Sequence, residues 1–188
     1  MKRLIPLIAI LGLFCVHDSF TQVRKYTNAN SIEVMLINDQ GSTKLIGNDL
    51  LTTYDPSLGI FRFHIDFKKF NVEVDDDYDE KLRDAIQNSF EYEELIIRIY
   101  EEHDPINLDK LKGDNETLLT KVDFGDFYFQ DNFHVWRWLS DDNLIFRLSL
   151  SKSFDAPVFI EGKPEFPVSQ IKIYSEHIEV FDFLEMLN

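Results

Sequence analysis

Cysteine is almost missing from this chain. Cys15 is its single thiol, and it lies inside an N-terminal leader, so the rest of the protein has neither a disulfide to hold it nor a thiolate to react. The histidines are His17, His64, His103, His134 and His177. No two of them stand at the His-x-x-x-His spacing by which a helix offers two imidazoles to one metal ion. A Gly-x-Ser-x-Gly elbow and a glycine-rich phosphate loop are also absent. These gaps argue against nucleophilic catalysis, a metal site and a phosphate-bearing cofactor, and the expectation is a protein that is no enzyme and carries no cofactor.

Positive charge is scarce as well. Nineteen Lys and Arg stand against 34 Asp and Glu, a net charge of -15, and such a surface repels the phosphates of nucleic acid. Carboxylates are so common that none can be singled out as an acid or base. Four of the five residues 75–79 are Asp, but the glycine and terminal glutamate of a calcium loop are missing, and acidic residues suit a helix start. The triplet at Asn115, Glu116 and Thr117 matches a glycosylation acceptor, a motif too short to carry a function.

Long apolar runs are confined to the leader. Lys2 and Arg3 precede an uncharged apolar stretch over residues 4–16, too short to cross a bilayer and suited to the core of a signal peptide. Residues 1–21 are therefore expected to be removed, leaving Gln22 first, with secretion to the exterior or periplasm and no stable membrane insertion afterwards. A lipoprotein anchored through Cys15 is disfavoured, because the bulky Phe14 precedes it. Residues 22–188 are of a length for one domain.

What the chain has in plenty is phenylalanine, 17 residues of it, beside seven Tyr and two Trp. Aromatics favour strands. In residues 59–70, Phe61, Phe63, Ile65 and Phe67 alternate with Arg62, His64, Asp66 and Lys68, the period of a half-buried strand with its apolar side turned inward. Similar alternation marks residues 31–37, 44–47 with 50–54, 94–101, 118–124, 127–129, 132–139, 143–150 and 169–174. Breaks fall at Gly47 and Asn48, at Gln130 and Asp131, and at residues 140–142; the turn at residues 55–59 has Pro56 to preset φ and Gly59 to take the left-handed angle. One helix is expected after Asp75, Asp76 and Asp77, with Glu80 in capping-box spacing and Tyr78, Leu82, Ala85, Ile86 and Phe90 on one face. Residues 177–188 fit either a strand extension or a short helix. About eight strands joined by hairpins make an antiparallel, mainly β fold, a barrel or a sandwich.

Residues 132–139 hold both tryptophans. Phe133, Val135 and Leu139 fall on one side, His134, Trp136 and Trp138 on the other. The two indoles either line a pocket and offer it an N–H donor, face a protein partner, or pack into the core. His64 and His134 occupy the polar parity of their strands, where a solvated imidazole is the ordinary outcome.

The order of these features resembles the YceI-like family of secreted lipocalin-like barrels. The likeness rests on Lys25 and Tyr26, the stretch DPSLGIFRFHI from Asp55 to Ile65, a helix, the strand after Glu94, and SKSFDAP from Ser151 to Pro157. Lys68 departs from it, standing where an aromatic is usual. The resemblance implies an eight-stranded antiparallel lipocalin-like β-barrel with one short helix, no catalytic residues, and an interior that takes a lipid such as an isoprenoid or a fatty acid. The candidate ligand-binding residues are then Phe61, Phe63, Ile65, Phe67, Ile97, Phe133, Trp136, Trp138 and Leu148. The alternative is a structural or protein-interaction domain whose aromatics fill the interior.

Overall fold

The computed structural model describes residues 30–39, 41–73, 80–81, 83–84, 94–101, 106, 108, 111–125, 127–160 and 163–187. Its strands are β1 (Ser31–Asn38), β2 (Gly41–Asn48), β3 (Leu51–Asp55), β4 (Ile60–Asp66), β5 (Phe70–Val72), β6 (Glu94–Tyr100), β7 (Lys112–Phe124), β8 (Phe127–Ser140), β9 (Asn143–Ile160) and β10 (Lys163–Val180). A four-residue helix, α1 (Phe183–Met186), follows the last strand. All ten strands belong to one sheet, in the order β3-β4-β6-β7-β8-β9-β10-β1-β2-β5, and every pairing is antiparallel.

The fold is mainly β and barrel-like, with ten strands among the described residues where eight were expected. The excess arises at two corners. β2 runs into β3 across Asp49 and Leu50, and β4 runs into β5 through a single 3-10 turn at Phe67–Lys69. Each arm pairs with a different neighbour, β2 with β5 and β3 with β4. The chain itself thus ties together the two ends of the curled sheet. Close approach at this corner needs a glycine: a Cβ on Gly47 would lie 2.7 Å from both Ile65 Cδ1 and Phe70 Cε1.

At one end of the barrel, where β3 approaches β10, Asn30 serves in place of a strand. Fully buried, its side chain donates to the Glu179 carbonyl at 3.0 Å and accepts from the Glu179 N–H at 2.9 Å. Its own carbonyl accepts from the Leu50 N–H at 3.2 Å. Thr52 Oγ1 adds a bond to the same Glu179 carbonyl at 3.1 Å. α1 closes this end, with the Phe183 ring 5.5 Å from that of Tyr54 and 5.8 Å from that of Phe61.

Other differences from expectation share one cause: polar residues inside a strand read as strand breaks. β8 is continuous through Gln130 and Asp131, which pair with Lys121 and Thr120. β7 begins at Lys112, ahead of the alternation at 118–124, and β9 continues past residue 150 through Asp155, Ala156 and Pro157. The helix expected over residues 75–90 lies mostly outside the described residues; Glu80, Lys81, Arg83 and Asp84 are helical. Residues 177–188 satisfy both alternatives, since β10 runs to Val180 and α1 follows. The turn at residues 55–59 forms as read, with Gly59 at φ 61° and Asp55 Oδ1 accepting from the Ser57 N–H at 3.0 Å.

Removing the amide of Asn30 should be costly, because the N–H of the half-buried Glu179 loses its acceptor and the Glu179 carbonyl is left with the Thr52 hydroxyl. Asn30→Ala is expected to lower stability by about 1–3 kcal/mol, seen as a lower urea midpoint with an unchanged denaturant slope.

Candidate functional site

The interior is built from aromatic rings. Phe61, Phe63, Ile65 and Phe67 are all buried, as are Ile97 and Leu148. The Phe146 ring of β9 lies 4.9 Å from Phe61 and 5.0 Å from Phe63. β9 stands across the barrel from β4, with β6, β7 and β8 between them. Rings from facing walls therefore meet at this level and fill it. Nearer the opposite end, Phe67 packs edge-on against Phe124 at 4.8 Å.

Beyond that filled level the wall parts. The β8–β9 ladder runs from Ser140↔Asn143 to Val135↔Leu148 and stops. Among the described residues, β8 continues over residues 127–134 paired with β7 alone, and β9 over residues 149–160 paired with β10 alone. Four rings stand along the split. Phe154 of β9 is 6.1 Å from Phe127 and 6.4 Å from Phe129, and Phe133 is 6.2 Å from Phe129. Phe127 and Phe129 are buried, whereas Phe133 and Phe154 pack on the core and remain partly exposed.

One ion pair spans the split, Lys152 Nζ to Asp131 Oδ2 at 3.3 Å. Residues directly opposite in an antiparallel ladder share a face. Lys152 is opposite the fully buried Ile171, and Asp131 opposite the fully buried Thr120. Both side chains therefore point to the interior side, yet they are 34% and 55% exposed. Water reaches the inner face of the sheet at this point. Asp131 Oδ1 accepts from the Asn132 N–H at 2.9 Å. That bond, reinforced by the Lys152 ammonium, holds the Asp131 carboxyl below its ordinary value of 3.8. Since a depressed carboxyl keeps its charge down to lower pH, the pair persists through neutral pH and opens only in acid.

A second charged group is buried beside the filled level itself. Arg137 lies opposite Phe146 and so shares its inward face. Its Nη1 donates to Glu101 and its Nη2 to Glu116, while its Nε is buried without a partner among the described residues. The three side chains are 3%, 5% and 21% exposed. Sequence reasoning missed this triad, although Arg137 falls on the same parity as Val135 and Leu139.

Of the expected site residues, the structure gathers Phe61, Phe63, Ile65, Phe67, Ile97 and Leu148 into the packed interior and sets Phe133 at the split. Trp136 and Trp138 do not join them. They take the outward parity, opposite Arg147 and Ile145, and are half-buried. Among the described residues, no group of three or more His, Cys, Asp or Glu could hold a metal ion, and no helix is long and apolar enough to cross a membrane.

No protein-family model and no curated protein sequence matches the chain. Among solved structures it is similar to a polyisoprenoid binding domain from Saccharophagus degradans implicated in plant cell wall breakdown, with a TM-score of 0.55 and 9% identity, over 84% of this chain and 97% of that one. The likeness is one of fold. The fold of that domain is thus reached here with a different set of side chains, and the interior must be judged on the residues present.

The Arg137 triad offers a sharp test of that interior. Arg137→Met leaves two carboxylates at a buried site without their counter-charge, which should cost about 3–5 kcal/mol and lower the thermal midpoint. Converting Glu101 and Glu116 to Leu in the same chain should recover most of that loss.

Proposed function

We propose that this is a non-enzymatic binding protein for an apolar chain, an isoprenoid or fatty-acid-like lipid, exported by means of its leader. The carrying observation is that Phe133 and Phe154 belong to the inner face of the sheet and stay partly exposed where the β8–β9 ladder ends. Apolar rings left at an opening favour an apolar occupant, since burial contributes roughly 25 cal/mol per Å² and about 0.8 kcal/mol for each methylene of the ligand. The fold-level likeness to a polyisoprenoid binding domain supports the same reading.

In this reading the ligand lies along Phe127, Phe129, Phe133 and Phe154. Phe61, Phe63 and Phe146 form the floor on which it ends rather than the wall along which it runs. An interior of this girth is either filled by side chains or holds one slender ligand, and the two ends of this barrel divide those roles.

One observation favours the second reading, a structural or protein-interaction domain with a filled interior. It is the meeting of Phe61 and Phe63 with Phe146 across the barrel. If the rings at the split close up in the same way, the barrel holds no lipid. The outward tryptophans would then be the place to seek a partner.

Mass spectrometry of an organic extract of the purified protein, with titration of a fluorescent lipid analogue, separates the two. The binding protein should carry or take up one lipid per chain, and Phe133→Ala should weaken uptake about tenfold while leaving the fold intact. A protein that extracts clean and fails to take up the analogue is the filled domain instead.

A further inference from the structure

Charge on the inner face of the sheet is rare, and at the split it takes a particular form. Asp131 has both oxygens engaged, Oδ1 by the Asn132 N–H and Oδ2 by Lys152. Lys152 is differently placed. An ammonium has three N–H groups, and among the described residues Asp131 is its ion-pair partner, so donors remain for a second anion. Its flexible four-carbon stem lets the ammonium move a few ångströms toward a ligand, whereas Asp131 is held to the backbone of β8. The pair sits between Phe133 on the side of the filled level and Phe127, Phe129 and Phe154 on the other, where the polar end of a chain lying over the rings can reach the ammonium.

We infer that Lys152 anchors a carboxylate, so that the preferred ligand is a long-chain carboxylic acid rather than a neutral isoprenoid. This assignment rests on the reading of the split as a lipid site and goes beyond it in naming the head. The geometry favours a monoanion. Among the described residues one ammonium faces the split, and a diphosphate head would bring several negative charges to it in a chain of net charge -15. Asp131 acts as the internal rival. Its carboxylate holds Lys152 over the split in the empty protein and yields part of that interaction when the ligand carboxylate arrives, which keeps affinity moderate and the ligand releasable.

Displacement of a neutral fluorescent probe by hexadecanoic acid and by its methyl ester, both below their aggregation thresholds at neutral pH, tests the assignment. The wild-type protein should bind the acid about fivefold more tightly than the ester, as expected for a charge-assisted contact that is partly open to water. That preference should shrink as salt is added. Lys152→Met should abolish the preference, bringing the acid down to no tighter than the ester, Lys152→Arg should retain it, and Asp131→Asn should enlarge it by removing the rival anion. Thermal unfolding of each variant confirms that the sheet is intact. Equal binding of acid and ester by the wild-type protein, or a preference that survives Lys152→Met, overturns the carboxylate assignment while leaving the lipid site standing. Binding of neither compound overturns the lipid site and the assignment with it.

Discussion

Contact between rings on facing walls sets the width of this barrel. Phe61 and Phe63 come from one side, Phe146 from the other, and their centroids stand about 5 Å apart. Aromatic pairs at that separation gain an edge-to-face attraction in addition to area burial. A sheet curled around them is therefore held at a fixed girth, and the corners at Asp49 and at Phe67–Lys69 bend the chain to meet it. With the girth fixed in the middle, the two ends are free to differ. One is capped by α1. The other parts between β8 and β9.

The parting divides the polar groups of the interior into two kinds. Arg137 is buried between the half-buried Glu101 and Glu116, which take up both of its terminal nitrogens, a network that is costly to break and nearly neutral to replace as a whole. Lys152 and Asp131 stand on an equivalent inner face but remain wet. Their mutual attraction is screened and contributes little to holding the sheet together. Both groups place charges inside a barrel; only the wet one is cheap to rearrange.

Much of the fold was legible from alternation. The strand from Ile60 to Asp66 has its inward and outward residues where period-two reading puts them, and the turn before it forms at Gly59 as the residue types demand. Charges on the apolar parity were not legible. Asp131 interrupts Phe127, Phe129, Phe133 and Val135, and Lys152 interrupts Leu148, Leu150 and Phe154, so each reads as the end of a strand. The strands continue, and the charges mark where the wall opens. Arg137 escaped for a related reason, since its partners Glu101 and Glu116 lie in other strands and no local pattern joins them. The tryptophans drew attention by size, yet they took the outward side of β8; aromatic bulk identifies a residue that wants cover and does not say on which side the cover lies.

Two bare strand edges facing each other are also a template for any passing extended chain, the starting point of edge-to-edge association. This protein keeps a lysine and an aspartate pointing inward along those edges, and a proline at position 157 interrupts the donors of β9. A stray strand that entered the split would have to bury the ion pair. The opening is thus guarded against edge-to-edge association by the charged side chains that line it.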